Sequence, residues 1–268
     1  MTRITDFCFR TAIIWIAAFT VVFLLLPLVV VVGVSFTQAE YLSFPPSGLS
    51  LRWYAEFLGD ASYLRATAVS CLLALCATAG ALLLGVPAAV ALSRGDFAGK
   101  RAMVALFLSP LILPSVVIGA AMLQFASTLG FARSFSAMAI GHTVIVMPYV
   151  IRTTLASLTR FDTALEEAAR DLGANGIDAF FLVTLPVIKP GVVAGALFAM
   201  IISWINVEVS IFQVTAALMT IPVKMFDQIQ YSVGPVIAAV SAATIYLAVL
   251  IVLALDAVIG LDRMTRVD

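Results

Sequence analysis

Long apolar runs separated by short polar segments are the dominant pattern along this chain of 268 residues. Six of the runs reach the roughly 20 residues that a helix needs to cross a bilayer. They cover residues 11–36, 64–92, 102–126, 136–158, 188–212 and 236–260. The alternating pattern of a transmembrane barrel is missing from the sequence, and lipid leaves the backbone of any other span no hydrogen-bond partner outside a helix. The pattern therefore predicts an all-α membrane protein with six spans.

Composition and charge agree with a membrane protein. Hydrophobic residues make up 63% of the chain and charged residues 11%, and the mean hydropathy is +1.13. A soluble domain contains about half apolar residues, so lipid is the expected solvent of this chain. The formal net charge is zero, which argues against a nucleic-acid partner. The three cysteines lack metal-ligand spacing, so no metal site is predicted.

The basic residues predict the orientation of the spans. With a cytoplasmic N-terminus, the outer side receives only Arg52, Arg65, Arg133 and Lys224 of the 15 lysines and arginines. This is the positive-inside bias of membrane proteins, and an even number of spans returns the C-terminus to the cytoplasm. No small-residue cleavage site follows the first run, so it is interpreted as a retained anchor and not as a signal peptide.

Three regions are predicted along this topology. Residues 1–59 form an anchor and a periplasmic interfacial helix, 60–260 the transmembrane domain, and 261–268 a cytoplasmic tail. The interfacial helix is predicted from "SLRWYAEFL" at 50–58, which places bulky side chains on one helical face. These side chains are Trp53, Tyr54, Phe57 and Leu58.

A charged, alanine-rich stretch, "ALEEAARDLGANG" at 164–176, lies in the predicted cytoplasmic loop between the fourth and fifth spans. Thr163 followed by Glu166 fits a capping box, with Asp162 as an alternative cap, and Gly173 is placed to end the helix. Helical spacing predicts one apolar stripe, made of Leu165, Ala168, Ala169 and Leu172. The opposite side carries Glu166, Glu167, Arg170 and Asp171. The stretch is therefore predicted to be a short amphipathic helix, either for docking on another protein or as an ordinary surface helix.

Part of this stretch resembles a family motif. Glu167-Ala168-Ala169, three residues, Gly173, nine residues and then Val183-Thr184-Leu185-Pro186 is similar to the EAA motif, with valine in place of the usual isoleucine. That motif belongs to inner-membrane permease subunits of binding-protein-dependent ABC importers. The resemblance implies the type I importer permease fold and a multi-pass location in a bacterial inner membrane. It also implies three protein partners: an ABC ATPase dimer, a second permease subunit and a periplasmic substrate-binding protein.

The same resemblance implies a coupling helix that docks on the ATPase. The residues implied in this contact are Glu166, Glu167, Ala168, Ala169, Arg170, Asp171, Gly173, Leu185 and Pro186. The chain contains no G-x-x-x-x-G-K-[ST] phosphate-binding motif. ATP and magnesium are therefore expected on the partner, and the chain is predicted to be a translocating subunit without a catalytic residue or cofactor of its own.

Further segments resemble the polyamine-type branch of these permeases. They are "LRWYAEFL", "LSPLILPSVVIGAAM", "GHTVIVMPYVIRTTLASL" and "PVKMFDQIQYSVGP". A polyamine or related small amine is therefore the first substrate hypothesis, while aminophosphonate, an amino acid and ferric iron stay open. A self-contained secondary carrier, which would not need the EAA stretch, is the alternative from a different class.

Trp204, Asn206 and Glu208 are the residues predicted to line the substrate pathway, within the fifth span. An ionisable side chain inside a span is a functional hypothesis by default, because it is costly unless it faces a cavity or a partner. A carboxylate beside an aromatic ring suits an ammonium group. The alternative is that Glu208 lies at the outer end of the helix, in contact with water.

Two other features predict packing. His142, the one histidine of the chain, is interpreted as a hydrogen-bonded packing residue within the bundle. Gly191 and Gly195 form a G-x-x-x-G pattern, which indicates close approach of two helices.

Overall fold

The computed structural model describes residues 2–231 and 233–259, and these fold into helices joined by turns and loops. The prediction of an all-α protein is confirmed. The helices are α1 (Thr2–Ser35), α2 (Arg52–Gly59), α3 (Ala61–Arg94), α4 (Lys100–Leu108), α5 (Ser115–Thr128), α6 (Phe135–Leu158), α7 (Ala164–Asp171), α8 (Gly176–Ala179), α9 (Leu185–Ile205), α10 (Ile221–Tyr231) and α11 (Pro235–Ile259). Single 3₁₀ turns occupy Ser109–Leu111 and Ser210–Phe212, and a π-helical turn occupies Phe180–Thr184. The predicted cytoplasmic tail, 261–268, lies outside the described residues.

Within the described residues, four helices are long and apolar enough to cross a membrane. They are Phe9–Ser35, Ala61–Arg94, Phe135–Leu158 and Gly176–Ile205. They coincide with the first, second, fourth and fifth predicted runs. The sixth run coincides with α11, in which Pro235–Ile251 is a shorter apolar segment. The number of crossings and their direction stay predictions.

The third predicted run, 102–126, is not one straight helix. Helices α4 and α5 meet there at a bend of 101°. Pro114 stands at the junction with extended backbone (ψ 129°), and Pro110 lies in the 3₁₀ turn just before it. Proline has no N–H to donate to the helix ladder and disfavours helical backbone in the residue before it, so the helix breaks between these two positions. The prediction of a continuous span is therefore wrong, and the segment is a broken span or a re-entrant loop.

Contacts divide the chain into two compact units, Arg65–Asp227 and the segments on either side of it. In the unit that holds both chain ends, α1 packs against α11, and α2 also packs on α11. The indole of Trp53 donates a 2.8 Å hydrogen bond to the carbonyl of Thr37, and Phe57 packs edge-on against Tyr63. Trp53 and Phe57 are buried, so these two side chains of the predicted interfacial face point into the protein. Leu58, in contrast, is exposed.

The unit Arg65–Asp227 is built around the packing of α6 on α9. Gly191 and Gly195 of α9 lie directly against α6, and a Cβ at Gly195 would stand 2.8 Å from the backbone Cα of Val150. Since a real Cβ almost never approaches another heavy atom within 3.0 Å, only glycine permits this contact. The prediction of close helix packing is confirmed.

Replacing Gly195 with alanine is expected to push α6 and α9 apart and to lower the thermal stability of the purified protein. Overpacking of this kind costs about 1–3 kcal/mol, and the atoms that must give way include backbone. The measurement is the melting temperature in detergent. Gly59→Ala is the matched control, since an added Cβ there meets nothing within 4 Å. Equal melting temperatures for the two variants would contradict the tight contact.

Candidate functional site

The charged stretch forms helix α7, and its first turn differs from the prediction. The Asp162 carboxylate accepts a 3.0 Å hydrogen bond from the Ala164 N–H, while the Thr163 side chain makes no capping bond. The predicted Thr163–Glu166 capping box is therefore wrong, and the alternative cap Asp162 is confirmed. The Glu166 carboxylate, which a capping box would hold at the helix start, has partners elsewhere.

The end of α7 is fixed by Gly173. This residue has φ +96°, its N–H bonds to the Arg170 carbonyl at 2.9 Å, and the next N–H, of Ala174, bonds to the Ala169 carbonyl at 3.0 Å. The pair of bonds is a Schellman motif, which needs a left-handed residue and so favours glycine. The Asn175 side chain then accepts bonds from two N–H groups at the start of α8. The predicted helix end is confirmed.

The helix that follows begins earlier than predicted. Residues Gly176–Ile205 run without interruption through α8, the π-helical turn and α9. The span was predicted to start at 188, with a loop over 160–187. The continuous helix instead connects the end of α7 directly to the membrane bundle, because Asn175 caps a new helix where a turn was predicted.

Glu166 points into the protein and not outward. Its residue exposure is 6%, and its carboxylate accepts hydrogen bonds from the Arg94 guanidinium and from the Thr184 hydroxyl. Arg94 also donates to the Thr184 hydroxyl oxygen at 3.2 Å. The predicted place of Glu166 on the polar outer side of α7 is therefore wrong. We name these three residues the Arg94–Glu166–Thr184 junction.

Most other predicted coupling residues lie at the surface. Glu167, Ala168, Arg170, Asp171, Gly173 and Pro186 are exposed, whereas Ala169 and Leu185 are half-buried. Large apolar side chains are exposed beside them, up to 90% exposure for Leu172. We call this group the apolar patch; it consists of Leu165, Leu172, Ile177, Phe181 and Leu182. Exposed apolar side chains concentrated on one short segment are typical of a surface that contacts another protein or lipid.

The opposite end of α9 carries the predicted substrate residues. Helix α9 ends at Ile205 and not near residue 212, because Asn206 is extended (ψ 117°) and its side-chain oxygen accepts the Val209 N–H at 2.9 Å. Asparagine side chains compete in this way with the helix ladder. Glu208 therefore lies in a turn beyond the helix and is exposed, so its predicted position inside a span is wrong. The sequence alternative, an outer helix end in contact with water, agrees with this geometry.

The three predicted pathway residues are close in the chain but differ in exposure. Asn206 is buried and its Nδ2 donates to a carboxylate oxygen of Glu208 at 3.1 Å. Trp204, in the last turn of α9, is half-buried. Helix α5 reaches the same turn, because a Cβ at Gly119 would stand 2.7 Å from the Glu208 carbonyl oxygen. The Glu208 carboxylate is thus exposed on a turn whose backbone packs against α5.

His142 holds this turn to the bundle. Its Nδ1 lies 2.9 Å from the Ser203 hydroxyl and its Nε2 lies 2.9 Å from the Ser210 hydroxyl. The Ser210 hydroxyl also donates to the Asn206 carbonyl at 3.0 Å. Because a hydroxyl has one proton to give and that of Ser210 goes to Asn206, Nε2–H donates to Ser210. The prediction of a hydrogen-bonded packing histidine is confirmed.

Arg94 and Thr184 are site residues that the sequence does not single out. Arg94 is one of the basic residues on the predicted cytoplasmic side, and Thr184 lies within the Val183-Thr184-Leu185-Pro186 segment. No local pattern connects them, since Arg94 and Glu166 are 72 residues apart in the chain. Among the side chains that the structure describes, no group of three or more His, Cys, Asp or Glu is placed to hold a metal ion.

Comparison with known proteins identifies the family of this chain. Residues 81–263 match the family described as "Binding-protein-dependent transport system inner membrane component". The chain is 31% identical over 226 residues to the putrescine transport system permease protein PotI of Escherichia coli K12, covering 82% of this chain and 80% of that protein. It is 29% identical over 245 residues to the spermidine/putrescine transport system permease protein PotC of Haemophilus influenzae, covering 91% and 92%.

The fold is also similar to a solved structure. A chain of a bacterial ABC transporter involved in the import of the acidic polysaccharide alginate superposes with a TM-score of 0.74, over 94% of this chain and 96% of that one. The sequence identity of the pair is 16%, so the match concerns the fold. It confirms the predicted importer permease fold.

Proposed function

The chain belongs to the family of binding-protein-dependent transport system inner membrane components, and from this premise we propose that it admits a polyamine, putrescine or spermidine, to the cell. It is an inner-membrane permease subunit of an ABC importer, a transport component and not an enzyme.

The observation that carries the substrate proposal is similarity over most of the chain to permeases named for putrescine and spermidine. The site offers a chemistry that fits. Glu208 presents an exposed carboxylate near the half-buried Trp204, and a carboxylate with an aromatic ring nearby suits an alkylammonium group. The neighbouring Asn206 is buried and donates to the Glu208 carboxylate, so it orients that group and adds no second charge. One carboxylate meets one end of a diamine, so the second permease subunit is proposed to supply the group that meets the other end.

The ATPase is proposed to dock on α7 and the apolar patch. This proposal is supported by the exposure of Leu172 and Ile177, which lie beside the charged Glu167 and Arg170. An apolar centre with a charged rim is typical of protein interfaces. The partners proposed are an ABC ATPase dimer, a second permease subunit and a periplasmic substrate-binding protein.

The proposed mechanism depends on the uninterrupted helix from Gly176 to Ile205, which connects the docking surface to the Glu208 turn. The segment from Gly176 to Ile205 is 30 residues long, or about 45 Å at 1.5 Å per residue. It starts beside the docking surface and ends at the turn that carries Glu208. When ATPase closure moves α7, this rod carries the displacement to the other side of the bundle. The movement is a switch between two packings, as in alternating access.

The test is ATP-driven uptake in proteoliposomes that contain this chain, its second permease subunit, the ATPase and the binding protein. We expect labelled putrescine to accumulate only with ATP inside, and excess unlabelled spermidine to compete. Competition by aminoethylphosphonate, an amino acid or ferric iron, without competition by spermidine, would overturn the substrate proposal. Uptake by this chain alone, without ATP, would favour a secondary carrier and overturn the proposed mechanism.

A further inference from the structure

We infer that the Arg94–Glu166–Thr184 junction is a positioning device that ties the coupling helix α7 to the end of α3. Through it, ATPase movement is delivered to α3 as well as to α9. This inference rests on the proposed function, since it concerns how a docked ATPase would drive the bundle.

The junction joins three elements that are separate in the sequence. Arg94 is the last residue of α3, Glu166 lies in the first turn of α7, and Thr184 is the last residue of the π-helical turn. Each pair makes a hydrogen bond: Arg94 donates to Glu166 and to Thr184, and the Thr184 hydroxyl donates to Glu166. Because each of the three residues is bonded to the other two, a movement of one element displaces both of the others.

Burial makes this contact different from a surface ion pair. Glu166 is 6% exposed, Thr184 is fully buried, and the Arg94 side chain is 33% exposed. An exposed pair contributes little because water screens the charges. A buried carboxylate that loses its partner remains as an uncompensated charge, which is strongly unfavourable. Removing the charge of Glu166 or Arg94 is therefore expected to disturb the subunit more than the same change in a surface ion pair.

The π-helical turn places Thr184 in the junction. A π turn is wider than an α turn and changes the direction in which the following side chains point. Here the Thr184 side chain also lies 3.5 Å from the Ala179 carbonyl, inside the turn, and its hydroxyl meets the carboxylate of α7. The π-helical turn thus sets how α7 is held against the long helix that begins at Gly176.

Glu166 cannot serve as a docking residue in this arrangement. Its neighbour Glu167 is exposed on the same helix, while Glu166 points inward. One acidic residue is available to an outside partner and the adjacent one holds α7 to the bundle. The two residues give matched variants of the same chemical change on one helix.

The experiment compares Glu166→Gln with Glu167→Gln in the complete importer reconstituted in proteoliposomes, with putrescine as the probe. Two quantities are measured: co-purification of the ATPase, and putrescine molecules imported per ATP hydrolysed. Glu166→Gln is expected to retain the ATPase and to lower import per ATP at least tenfold, because hydrolysis no longer moves α3. Glu167→Gln is expected to act instead on the first quantity and to weaken co-purification of the ATPase.

Exchanging the charges of Glu166 and Arg94 tests whether a loss of import comes from the broken ion pair or from misfolding of the variant. Glu166→Arg alone is expected to abolish import, and adding Arg94→Glu is expected to restore at least a third of it, because the ion pair is rebuilt in the opposite sense. Import per ATP at the wild-type level in Glu166→Gln, or a double variant no better than the single one, would overturn the inference. A wild-type complex without ATPase or putrescine import would instead defeat the proposed function, so the two failures are distinguishable.

Discussion

Replacing Leu172 with aspartate is expected to abolish ATP-driven uptake and co-purification of the ATPase. Leu172 is 90% exposed next to the end of α7, so the folded subunit loses no internal contact. Burying a leucine at an interface contributes about 1.5–3 kcal/mol, and an aspartate in its place must also lose its hydration. The affinity for the ATPase should fall by a factor of at least about 10–100.

The measurement is pull-down of the ATPase by the tagged permease, followed by uptake in the same preparation. Leu49→Asp is the matched control, since Leu49 is 81% exposed and lies just before α2, outside the coupling segment. We expect the control to bind the ATPase normally. If Leu172→Asp binds and transports like the control, the apolar patch is not the docking surface.

Replacing Glu208 with glutamine is expected to raise the half-saturating concentration for putrescine or to stop its uptake. The carboxylate is exposed on the turn beyond α9, and the amide keeps its size while removing the charge. A hydrogen bond to a charged group contributes about 1.5–3 kcal/mol, so transport at low substrate concentration should fall by a factor of about 10–100. The Asn206 Nδ2 can still donate to the amide oxygen, so the turn itself should remain.

Glu56→Gln gives the corresponding control. Glu56 is also exposed, lies on α2, and undergoes the same loss of charge. Uptake by this variant should stay within twofold of the wild type. Normal putrescine uptake by Glu208→Gln would remove this residue from the substrate pathway, while ATPase coupling would be unaffected by that result.

The apolar runs were sufficient to locate most of the long helices. Helices α1, α3 and α6 lie where the runs predicted them, because burial in lipid demands an unbroken apolar segment and little else. The break between Pro110 and Pro114 was not predictable in the same way. Proline is also common in membrane helices that continue through it, and only packing decides whether the chain bends or breaks.

The site was predictable where its geometry is local. Gly173 ends α7 as the helix-ending pattern predicts, because a left-handed residue is a property of a few consecutive positions. The inward direction of Glu166 depends on Arg94, which lies in a distant part of the chain. The early end of α9 depends on the Asn206 side chain, which a hydropathy pattern treats merely as one polar residue in an apolar run.

The bend between α4 and α5 has a consequence for the subunit on its own. Helix α5 has 14 residues and is about 21 Å long, which is shorter than the roughly 30 Å of hydrocarbon in a bilayer. In a broken span the elbow at 112–114 would lie at membrane depth, and its Ile112 side chain is 84% exposed. The N–H groups of Ile112 and Leu113 bond back to the Ser109 carbonyl. A carbonyl without a donor would still be costly in lipid, so a neighbouring chain or a water-filled vestibule is expected beside the elbow. A single copy of this subunit would leave that surface uncovered in the membrane. We therefore expect cells that make it without its partner subunits to degrade it.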